Sequence, residues 1–184
     1  MAFTKASMLF VNCAAISMAL GQSVPSYADK VGTPYLGDAL FFEGNLCAPD
    51  EVVFSNCEMI HKTASLCGKK NGTNEVNGLQ YRFGTRDVLE FYFPNNLDNS
   101  LKKFTLSKLG ASGSETHITF ENDGYEYIIF GKDPLGERSS YGVAVKHGSR
   151  LIAVNKCTRG RPAIFQEAYR ILQRGPFAEI RGLR

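Results

Sequence analysis

The sequence has no tryptophan and only three histidines. A carbohydrate platform built on indole rings is therefore not expected, and imidazole acid–base chemistry has only His61, His117 and His147 to draw on. There is no Gly-x-Ser-x-Gly nucleophile elbow. Nor is there a Gly-x-x-x-x-Gly-Lys-Ser/Thr phosphate loop or a dinucleotide fingerprint. Acidic residues are scattered, and no Asp/Asn-rich calcium loop occurs. The cysteines show no Cys-x-x-Cys spacing, and no histidine stands at a ligand-like distance from a cysteine pair, so no metal or other cofactor is expected.

An excess of one charge is lacking too. The chain carries 21 basic and 18 acidic residues. The late basic residues, Lys156, Arg159, Arg161, Arg170, Arg174, Arg181 and Arg184, are mixed with apolar ones. They read as a solvated helix face and a tail, and no nucleic-acid partner is expected, since that requires a clustered cationic surface.

What is present begins with an export signal. Lys5 gives a short positive start, Met8 to Leu20 forms an uncharged apolar run, and Ser26-Tyr27-Ala28 ends it with small residues at the first and third positions. This order predicts a cleaved signal peptide over 1–28, with the cut ahead of Asp29. The run falls short of the roughly 20 residues that span a bilayer, so no stable membrane insertion is expected after cleavage. Cys13 follows Asn12 in mid-run and does not mark a lipid attachment site.

The remaining 156 residues suit a single domain. Cys47, Cys57, Cys67 and Cys157 survive signal removal, an even number that reads as two disulfides in an oxidising compartment, periplasmic or secreted. Three connectivities are open. One of them bridges Cys57 to Cys67 across a hairpin centred on Lys62.

Residues 29–46 read as an extended arm, with Ala39 to Phe42 as a docking patch. Nine short β-favouring runs follow, over 52–57, 63–67, 79–83, 88–93, 103–107, 115–120, 125–130, 142–146 and 150–154. Turn residues separate them, among them Asn122-Asp123-Gly124 and His147-Gly148-Ser149. The spacing predicts an all-β antiparallel sandwich or barrel. One helix is expected within 159–184: Pro162 sits at its first turn, and Ile164, Ala168, Ile171 and Leu172 recur on one face before Gly175-Pro176.

Several segments together resemble a group of small exported bacterial proteins: Val53-Phe54-Ser55 with Cys57, Ala64 to Cys67, Leu79-Gln80-Tyr81-Arg82-Phe83-Gly84, His117 to Asn122, Tyr125 to Phe130 and Gly142 to Val145. The resemblance spans about residues 50–158 and implies a periplasmic β protein of a Gram-negative bacterium, without implying an activity. The architecture is also similar to that of periplasmic lysozyme inhibitors, whose Ser- and Gly-containing loop enters the enzyme's cleft. That similarity implies a like role for Gly110 to Ser114, and with it Ser112, Ser114 and His117 as binding residues.

On an alternating strand Glu115, His117 and Thr119 share a face. A histidine beside a carboxylate suits general acid–base work. The strand pattern equally yields a solvent-facing polar stripe opposite Thr116, Ile118 and Phe120, and this second reading is preferred here. The expected function is an exported, non-catalytic binding module, an inhibitor or protective partner of another envelope protein. The alternatives are a small periplasmic hydrolase using His117 and Glu115, and a structural envelope protein.

Overall fold

A computed structural model describes residues 44–110, 113–136, 138–159, 165–178 and 180. The expected signal peptide, most of the arm, Pro162, Ile164 and the last arginines lie outside the described residues.

Alternating apolar side chains fold into two antiparallel meanders that face one another. The first sheet contains β1 (Val52–Glu58), β2 (Thr63–Lys70), β3 (Val76–Gly84) and β4 (Leu89–Phe93), in that order. A short 3-10 turn at Ser100–Lys103 then leads to the second sheet. This contains β5 (Thr105–Leu109), β6 (Gly113–Asn122), β7 (Tyr125–Pro134), β8 (Ser140–His147) and β9 (Arg150–Lys156), again in chain order. All nine expected strands are present. The β6–β7 turn places Asp123 and Gly124 at φ 50° and 79°, the left-handed region that such tight turns require.

The core lies between the sheets. Phe54, Leu66, Leu79 and Tyr81 from the first pack against Phe104, Leu106, Ile118, Phe120, Ile129 and Val143 from the second. Helix α1 (Phe165–Ile171) closes one part of this layer by burying Ala168 and the following Leu172 in it. A two-residue strand, β10 (Gln173–Arg174), then pairs parallel to β5 at the sheet edge. No helix among the described residues is long and apolar enough to cross a membrane.

Both outer faces are covered as well. Over the first sheet, Cys47 bonds to Cys67, and Leu46 N–H donates to Ser65 Oγ at 3.0 Å. Arg82 there grips Glu51 with two hydrogen bonds of 2.7 Å. Over the second sheet, Ala178 and Ile180 pack on Ile128, Phe130 and Ala144. This explains why β7 is apolar on consecutive residues: Ile128 and Ile129 face opposite ways and both are buried.

The second disulfide joins Cys57 to Cys157, 100 residues apart. Beside it Glu58 N–H donates to the Arg159 carbonyl at 2.9 Å, stitching the end of β1 to the chain beyond β9. A Cys57–Cys67 bridge is excluded by register. Cys57 pairs with Ala64 and Cys67 with Val53, so the turn is centred between Ile60 and His61, not on Lys62. Cys57 then faces the core and Cys67 the outer side. Two disulfides belong to an oxidising, extracellular type of environment.

Candidate functional site

Glu115, His117 and Thr119 do share one face of β6. That face is not open to water. His117 is wholly buried and Thr119 nearly so. The reason is the segment after β10. Gly175 passes so close to Thr105 that a Cβ there would lie 2.5 Å from its hydroxyl oxygen, and Phe177 then lies over His117 with ring centroids 4.2 Å apart. The expected solvent-facing stripe is thus corrected: the tail turns it into a second, thin interior layer.

His117 Nε2 is hydrogen-bonded to Glu115 Oε1 at 2.9 Å. Across the ladder its register partner is Ser107. The His117 Nδ1 and Ser107 Oγ atoms are buried without a hydrogen-bond partner among the described residues. Burial holds the imidazole below its ordinary pKa, against the opposing pull of the Glu115 bond and the charges of Glu115 and Glu126. A neutral imidazole paired with a carboxylate has the composition of an acid–base relay. With Phe177 seated, no face of the ring meets a substrate from solvent. Ser114 is half-buried three residues earlier on β6, and odd spacing puts it on the opposite face from His117. Ser112 lies outside the described residues. His61 and His147 sit exposed at hairpin tips, as expected from their turn positions.

One opening adjoins this region and another lies between the sheets. The first is a recess of about 420 Å³ at the sheet edge, lined by Ser107 and Lys108 of β5, Tyr169 of α1, Arg174, Gly175 and Phe177. Arg174 lies 4.4 Å from the Tyr169 ring centroid and Lys108 5.9 Å from it. Sequence reasoning missed this recess because a two-residue strand, too short to leave a pattern, brings Arg174 beside β5.

The second opening is an apolar slot of about 320 Å³ between the sheets, lined chiefly by Met59, Phe83, Phe91, Tyr127, Val143 and Val145. Phe91 and Tyr127 stack in it with centroids 5.1 Å apart. Burial, then the charges of Tyr125 and Asp123, push the Tyr127 phenol above its usual pKa and keep it neutral. The β1–β2 and β3–β4 turns lie at one end of the first sheet, next in sequence to Met59 and Glu90 of the slot. They expose Ile60, Val88 and Leu89 by 79%, 59% and 47%. A Lys62–Glu90 ion pair of 2.5 Å stands between them. The plentiful aromatics therefore divide. Phe104 and Phe120 fill the core, while Phe83 and Phe91 reach the slot.

The grouping of metal-ligating side chains found among the described residues is Cys47, Glu51 and Cys67, and the disulfide removes both thiolates from it. No protein-family model, curated protein or solved structure matches this chain.

Proposed function

We propose that the mature chain is an exported, non-catalytic binding module of the periplasm, and that it seats an apolar side chain of another envelope protein in the slot between its sheets. The role that follows is that of an inhibitor or protective partner. The supporting observation is the slot itself. It is aromatic, it is open, and three large apolar side chains stand in water on the turns next in sequence to its lining residues Met59 and Glu90. Exposed apolar side chains clustered at a cleft are characteristic of protein-binding surfaces.

The test is affinity capture of envelope extract on the immobilised oxidised chain, residues 29–184. A parallel column carries the Ile60→Asp/Val88→Asp protein, whose changes lie on exposed turns and leave the core intact. One protein retained stoichiometrically by the native chain, and at least tenfold less by the variant, is the expected result. Equal retention on both columns, or none on either, overturns the reading.

The Glu115–His117 hydrogen bond favours a second reading, a hydrolase that works when the C-terminal segment lifts. Its signature is turnover of a model ester that His117→Gln abolishes without disturbing the fold.

A further inference from the structure

We propose that the recess at the β5–β10 edge is a binding site for a small oxyanion, a carboxylate or a phosphate group. This site is separate from the apolar slot and does not depend on the role given to it.

Charge is the first argument. The Arg174 guanidinium and the Lys108 ammonium both lie against the Tyr169 ring, at 4.4 and 5.9 Å from its centroid, and all three residues line the recess. Neither makes an ion pair among the described residues. No residue lining the recess is acidic. Two like charges held together in a cleft with low-dielectric walls raise the local potential and draw in an anion.

The second argument is hydrogen bonding. Arg174 offers a planar fork of N–H groups that matches the paired oxygens of a carboxylate or phosphate. Tyr169 holds that fork from one face, which limits the freedom lost when a ligand binds.

The third argument comes from the edge. Among the described residues, the last backbone hydrogen bond from the C-terminal segment to β5 is from the Gly175 N–H to the Leu106 carbonyl, 3.0 Å. Backbone groups alternate along a strand, so the N–H of Lys108 points to this same edge, beyond the last rung of β10. The recess thus offers a main-chain donor and two cations at one sheet edge.

The experiment is an amide NMR titration of the oxidised mature chain with inorganic phosphate and, separately, with acetate, at constant ionic strength. Saturable shifts centred on Lys108, Gly175 and Phe177 are expected with at least one of the two, and which one responds identifies the oxyanion. Lys108→Gln/Arg174→Gln should weaken binding at least tenfold. Both side chains are exposed, so unchanged signals from β6 to β8 confirm that the fold survives. Shifts that rise linearly with both anions, or an affinity unchanged in the double variant, overturn the proposal.

Discussion

Phe177 lies flat on the His117 imidazole, its ring tilted by only 22°, and this one contact decides what the histidine does. It removes water from a side chain that the strand pattern alone would leave exposed. It also ties the C-terminal segment to the centre of the second sheet, where β6 joins β5 and β7.

The first prediction concerns pH. Burial holds the folded pKa of His117 below the ordinary value of 6.5, so as pH falls the unfolded chain takes up the proton first. Stability from the neutral imidazole is therefore present in full above about pH 6.5 and is lost as pH drops from there toward the folded pKa. Urea midpoints measured from pH 7.5 to 5 should fall more steeply for the native chain than for His117→Gln. Parallel curves would show that His117 is not held neutral by the fold.

Removing the cover is the second. In a Phe177→Ala protein the main cause of the lowered pKa, burial, is relieved, while the Glu115 bond that raises it stays in place. The imidazole pKa, followed by NMR, should rise relative to the native chain. No change would mean that another group keeps water away.

The third prediction concerns the outer face of the first sheet. Arg82 makes two bonds to Glu51, one to the Leu46 carbonyl at 2.9 Å and one to Gln80 at 2.8 Å. Arg82→Met strands the Glu51 carboxylate, of which only 8% is exposed. A cost of about 3 kcal/mol is expected by chemical denaturation. Adding Glu51→Gln should recover part of that loss, since the two side chains act as a unit. Equal losses in the single and double variants would place the energy elsewhere.

The disulfides supply the fourth. A non-reducing peptide map should yield Cys47–Cys67 and Cys57–Cys157. Loops of 20 and 100 residues predict losses of about 3 and about 5 kcal/mol when each pair is replaced by alanine. A Cys57–Cys67 peptide from native protein would contradict the register of the first hairpin.

Much of this fold was legible because strands announce themselves residue by residue. Leu79, Tyr81 and Phe83 alternate with Gln80 and Arg82, and the ladder follows that alternation. The cover over His117 was not legible in the same way, since residues 175–180 have no period and β10 has only two residues. A signal did exist in the neighbouring strand. Ile128, Ile129 and Phe130 form an unbroken apolar run, which implies burial on both faces of β7. His117 is the register partner of Phe130 and shares its face, so it belongs in the same dry layer. The disulfide pairing required the register of the β1–β2 turn, and a shift in where that turn is centred was enough to turn Cys57 and Cys67 to opposite sides.

The span between Cys57 and Cys157 bears on how the molecule matures. A chain delivered N-terminus first into an oxidising compartment presents three cysteines long before the fourth arrives. Pairing in order of arrival joins Cys47 to Cys57, a wrong bond that leaves Cys67 and Cys157 to each other. The native pattern instead requires Cys57 to wait, or to be released and paired again. Correct maturation is therefore expected to draw on thiol–disulfide exchange, with oxidation by itself yielding a mixture.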